Sequence, residues 1–185
     1  MNRWSIEQAQ QWYAKQPWLV GCNFLPSSAV NQLEMFQAET YDPATIDKEL
    51  GWAEELGFNT MRVYLHDLLW DNDREGFIER LDDFLAIGAR HGMRMLLVLF
   101  DDCHRPDPVI GEQMLPIRGV HNCGWAQSPG YALVEQFHDG TISDAERTRL
   151  LDFVTGVITR FKDDERIVMW DLYNEPGGKS NPLLE

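Results

Sequence analysis

The sequence predicts an α/β protein of the (β/α)8 barrel type, of which the first four strands, three intervening helices and an N-terminal helix are present. Apolar runs of strand length alternate with stretches of helical periodicity, in the order strand, helix, strand, helix, strand, helix, strand. Right-handed crossovers would make those strands parallel and adjacent, which leaves an open doubly wound sheet and a barrel as the candidates. No glycine-rich phosphate loop follows any strand, since the first leads into Leu25-Pro26-Ser27-Ser28, and this argues against a nucleotide-binding sheet. Side chains able to do chemistry gather instead at or just past strand ends: Arg62 and His66, Asp101 to His104, and Asn174-Glu175. That is where a barrel keeps its active site.

Residues 5–16 read as a short amphipathic helix, with Ile6, Ala9, Trp12 and Tyr13 on one stripe, a lid for something larger that Pro17 ends. Trp18 to Leu25 is the first strand, closed by a Pro-Ser-Ser turn. Asp42 as N-cap and Pro43 at the first helical position open a helix that carries Ile46, Leu50, Ala53 and Leu56 and stops at Gly57. Asn59 to His66 alternates as a strand does, with Met61, Val63 and Leu65 on one face and Arg62, Tyr64 and His66 on the other. Residues 73–91 form the second crossover helix through Phe77, Ile78, Leu81, Phe84 and Leu85, and Gly92 separates it from the apolar strand Met93 to Phe100. Ser143 and Glu146 have the spacing of a capping box, ahead of a stripe of Leu150, Leu151, Val154, Val157, Ile158 and Phe161. Ile167 to Tyr173 is the fourth strand. Trp12, Trp18 and Trp52 read as core or lid packing, and Asp163-Asp164-Glu165 as an exposed turn.

The domain reading is an N-terminal helix over 1–17 and the first half of a barrel over 18–185, with a long connection over 101–142. A complete barrel takes about 250 residues, so a chain of 185 is expected to be a fragment of a longer one. The connection is far longer than the usual few residues, and Trp125, Tyr131 and Phe137 favour an ordered, functional loop over a disordered one.

With 16 Lys plus Arg against 30 Asp plus Glu, the net charge of −14 repels phosphate backbones and anionic lipid heads. Nucleic acid and membrane partners are therefore not expected. No apolar run approaches the length of a membrane span, and Met1-Asn2-Arg3-Trp4-Ser5 leads into polar sequence, so the chain as written reads as cytoplasmic, with secretion of a longer parent left open. Cys22, Cys103 and Cys123 lack paired spacing and read as reduced, structural thiols; Cys103-His104 and His121-Asn122-Cys123 share the long loop, but no metal and no cofactor is expected.

Trp170-Asp171-Leu172-Tyr173-Asn174-Glu175-Pro176, together with Gly57-Phe58-Asn59-Thr60-Met61-Arg62-Val63, resembles the cellulase-like glycoside hydrolases of family 5 and related members of their large (β/α)8 clan. The resemblance runs from about Trp18 to Pro176, the first half of that family's barrel. It implies retaining hydrolysis of β-linked glucan, mannan or xylan, with Glu175 as general acid and base, Asn174 on the sugar 2-hydroxyl and Arg62 orienting the nucleophile. The nucleophile itself is implied on a seventh strand, so this chain alone is expected to be inactive and to need the other half of the barrel. Asp102-Cys103-His104 can be laid on an Asp-X-His that often follows the third strand of the family. His104, His121, Trp125, Tyr173 and Trp70 are candidates for sugar subsites, because hydroxyls take polar partners and the apolar face of a pyranose stacks on aromatic rings. Two other readings stand beside this one: a non-catalytic carbohydrate-binding or assembly half-barrel that self-associates through its edges, and a barrel enzyme that uses Glu175 on a non-sugar substrate.

Overall fold

A computed structural model describes residues 3–176; Met1-Asn2, Gly177 and the expected domain end at 185 lie outside the described residues. The chain is an alternating α/β structure. Its elements run α1 (Ile6–Tyr13), β1 (Gly21–Asn23), α2 (Gln32–Phe36), α3 (Pro43–Glu55), β2 (Thr60–Tyr64), α4 (Asp67–Arg90), β3 (Arg94–Asp101), α5 (Tyr131–His138), α6 (Asp144–Phe161) and β4 (Ile167–Asn174). The four strands form one parallel sheet in the order β1-β2-β3-β4. This order brings the ends of β2, β3 and β4 side by side.

The alternation read in β2 holds: Met61, Val63 and Leu65 are buried, and they join Met95 and Leu97 of β3 in a core with Leu50, Phe77, Leu81, Phe84 and Phe153. Asp42 Oδ1 accepts from Thr45 N at 3.0 Å to start α3, and Gly57 (φ +84°) turns the chain out of it. Helix α4 begins six residues before the expected start and bends at Asp73 (φ −154°, ψ 69°). Asp73 then caps the second segment through Gly76 N at 3.2 Å, which is why the helical pattern in the sequence starts there.

Several expectations are corrected. Strand β1 is only three residues, because Asn59 takes the place of a ladder partner: its amide donates to Trp18 O and accepts from Val20 N, each at 2.9 Å. Gly21 of β1 lies so close to β2 that an added Cβ would meet Thr60 O at 1.8 Å. Helix α1 buries none of its residues, so it is no packed lid, and Trp18 (78 % exposed) and Trp52 (55 %) are surface residues, the latter under Lys48. The reciprocal capping box sits at Ser5 and Gln8; at α6 only Ser143 Oγ caps Glu146 N, because the Glu146 carboxylate bonds Arg149 instead.

The 101–142 connection contains α5, and the short helix α2 holds its start in place. Asn31 Nδ2 donates to Gln113 Oε1 (2.9 Å) and Gly124 O (3.0 Å), Gln32 Nε2 to Ala126 O, and Gln37 exchanges two bonds with Gly111. These buried amides satisfy loop backbone groups that water cannot reach. No helix among the described residues is long and apolar enough to cross a membrane.

Candidate active site

Arg62 leaves β2 partly exposed and reaches across the sheet. Its Nη2 donates to Asp171 Oδ2 (2.5 Å) and to Asn174 Oδ1 (2.8 Å), both on β4, and its Nη1 to Tyr64 Oη. Burial alone would lower the Arg62 pKa, and the bonds to Asp171 and Tyr64 outweigh it, so the net direction is up and the guanidinium stays charged. Two hydrogen bonds to carboxylate and amide oxygens at fixed angles are what a planar guanidinium supplies and an ammonium does not.

With Oδ1 held by Arg62, the amide of Asn174 can be oriented only one way, and its Nδ2 donates to Cys103 Sγ at 3.2 Å. Glu175 follows in the left-handed region (φ +49°), which a side chain with a Cβ rarely occupies. Such strain at the end of a strand is maintained where it re-aims a functional side chain.

Beyond β3, Asp101 Oδ1 accepts from Cys103 N (3.0 Å) and Cys103 Sγ (3.2 Å), and lies 2.8 Å from His104 Nδ1. Burial first, then the bond to Asp101 and the charges of Asp101 and Glu175, push the Cys103 thiol up to about 12. His104 stacks on Trp125 (5.3 Å between ring centroids, 23° between planes), and both meet Tyr64 edge-on. Donor atoms of Asp101, Cys103 and His104 all lie within 4.8 Å of one another, a grouping able to hold a metal ion.

Of the residues singled out in the sequence, Arg62 and Asn174 share one hydrogen-bonded network. His104, His121 and Glu175 line one cavity of about 450 Å³, and Trp125 stacks beside it. Two do not join them. Trp70 is 6 % exposed, packs on Phe153 and over Gly156, and donates to Asp152 Oδ2, so it is part of the α4–α6 contact and too far into the core to meet a ligand. Tyr173 packs on Phe100 in a separate apolar cavity of about 460 Å³ lined by Leu133, Val134, Phe137 and Leu150. Burial, then the Asp102 and Asp101 charges, raise its pKa.

Tyr64 and Asp171 were not singled out, and Asp101 and Cys103 were named only as part of the run that follows the third strand. Tyr64 was legible from its place on the Arg62 face, and Asp171 from lying three residues before Asn174. Asp101 was legible from its i, i+3 spacing to His104; the partner laid on the family pattern, Asp102, instead accepts from Gln127 Nε2 at 3.0 Å. For Cys103 the signal was its adjacency to His104 in the long loop that also carries His121 and Cys123. No protein-family model matches the chain, and no curated protein matches it either.

Proposed function

We propose that Glu175 is the general acid and base of a retaining glycoside hydrolase acting on β-linked glucan, mannan or xylan, and that the chain is the first half of its (β/α)8 barrel. The observation that carries this is the bond from Arg62 on β2 to Asn174 Oδ1 at the end of β4, which ties the Asn-Glu pair to the arginine in one network. Glycosidic cleavage needs a proton for the leaving oxygen and a carboxylate about 5 Å away to capture the oxocarbenium-like centre. Glu175 delivers the proton and then removes one from the incoming water. Asn174, its Oδ1 held by Arg62, turns Nδ2 from the weak thiol acceptor to the sugar 2-hydroxyl, a contact that strengthens as charge develops. Trp125, stiffened by His104 and Tyr64, offers an apolar surface to a pyranose. The reading calls for a nucleophilic carboxylate on a seventh strand of the barrel.

The test is Glu175→Gln in the whole gene product. Hydrolysis of a natural oligosaccharide is expected to fall by about 10²–10⁴-fold. With an activated aryl β-glycoside the first step survives, the second stalls, and added azide restores turnover as a glycosyl azide. Unimpaired hydrolysis of both substrates would remove Glu175 from the mechanism.

The exposed Met169 and Leu172 of the edge strand β4 favour a second reading, an assembly or carbohydrate-binding half-barrel that self-associates. Light scattering separates the two: a monomeric 185-residue chain at micromolar concentration counts against it.

A further inference from the structure

We infer that Asp101, Cys103 and His104 form a binding site for a soft divalent cation such as Zn²⁺, open toward the cavity that His121, Cys123 and Glu175 also line. One carboxylate, one thiolate and one imidazole make a mixed donor set that suits Zn²⁺ or Co²⁺; Mg²⁺ and Ca²⁺ prefer oxygen alone. The donors are close to the separation an ion requires. Asp101 Oδ1 stands 2.8 Å from His104 Nδ1 and 3.2 Å from Cys103 Sγ, and with one nitrogen of His104 as ligand all three donor atoms lie within 4.8 Å of one another. Two donors sharing a tetrahedral Zn²⁺ lie about 3.3–3.7 Å apart, so closing on the ion takes shifts on the order of 1 Å.

A second observation points the same way. Asp101 is 1 % exposed and its Oδ2 has no hydrogen-bond partner; His104 Nδ1 lacks one too, despite its nearness to Oδ1. Buried polar atoms are nearly always paired, and an unpaired carboxylate oxygen is among the costliest exceptions. A cation held by the Asp101 carboxylate and His104 Nδ1 would compensate the buried charge and give that nitrogen a partner. No arginine bond to Asp101 is present among the described residues: Arg62 is held by Asp171 and Asn174, and Arg105 Nη2 reaches Gln113 Oε1 while its Nε is buried without a partner. Asp101 ends β3, so one ligand stands on a rigid strand, and His121 and Cys123 line the same cavity as Cys103 and His104. On coordination the Cys103 proton passes to the buffer and the sulfur–metal bond forms; the metal stays divalent and nothing is oxidised.

The site is tested on the 185-residue chain with Co²⁺ as a spectroscopic probe. One equivalent is expected to give thiolate-to-cobalt charge-transfer absorption in the near ultraviolet, displaced by Zn²⁺, retained in Cys22→Ser and lost in Cys103→Ser. No such band in the native chain, or one that survives Cys103→Ser, overturns the proposal. A measurement that needs no variant runs alongside: Zn²⁺ should protect Cys103, and not Cys22, from iodoacetamide when labelling is read by peptide mass. Equal labelling of Cys103 with and without Zn²⁺ overturns it as well. Neither readout depends on glycoside turnover, so a negative result here leaves the hydrolase reading to its own test.

Discussion

At the end of β2, His66, Asp67 and Ser128 are closed off from water, while just past the ends of β3 and β4 Cys103, His104 and Glu175 border an open cavity, with Asp101 buried behind them. The first group is fully bonded. Asp67 accepts from Ser128 Oγ (2.8 Å) and pairs with Arg149 Nη1 (2.8 Å), which also holds Asp71 while Arg149 Nε holds Glu146, and His66 bonds Gln127 O (2.9 Å) and caps α4 through Leu68 N. It ties α4, α6 and the long loop together. In the second group Asp101 Oδ2 and His104 Nδ1 are buried without partners and Cys103 is exposed. Similar side chains at one end of one sheet thus serve two ends. Where every polar atom is paired the cluster is architecture; where pairing is incomplete it is available to a ligand.

The largest effect that would sharpen this contrast is on stability. Asp67→Ala leaves Arg149 short of its buried partner and is expected to cost about 3–5 kcal/mol in urea unfolding. Next comes pH. Burial raises the Asp67 pKa, but His66, Arg149 and Ser128 outweigh that and bring it to about 2 from an ordinary 3.8. A depressed carboxyl pKa contributes stability that is fully present above 3.8 and is lost as pH falls toward about 2, here on the order of 2 kcal/mol. That acid limb should flatten in Asp67→Asn, measured by thermal melts across pH 2–5. The smallest effect is at the other cluster: Asp101→Asn keeps the acceptor for Cys103 N and removes a poorly paired buried charge, so unfolding should shift by less than about 1 kcal/mol. If Asp101→Asn costs as much as Asp67→Ala, the distinction between the two clusters fails.

Local order was readable in the sequence. Period two in Met61, Val63 and Leu65, the Asp42-Pro43 start and the Gly57 and Gly92 stops act over a few residues, and each found its place. Five-residue α2 was too short to show a period, and α5 was hidden in a segment chosen for its length. Both polar clusters are non-local: Arg62 meets Asn174 across 112 positions and Asp67 meets Arg149 across 82. Residue type could nominate members of such clusters, but not say that His66 is sealed in while His104 borders a cavity. Trp70 shows the same limit, since only the pairing of α4 with α6 turns a candidate sugar platform into core.

The close approach at Gly21 constrains how this protein can be engineered. Edge strands are commonly kept from sticking to other chains by a lysine or a proline, and β1 is an exposed edge beside the exposed Trp18 and Val20. A surface-guided redesign would choose Gly21 for such a change. With the Thr60 carbonyl where its Cβ would go, that position admits no side chain at all. In a saturation-mutagenesis map it would score as intolerant as any core residue, and the burden of keeping this edge soluble passes to Cys22 and Asn23.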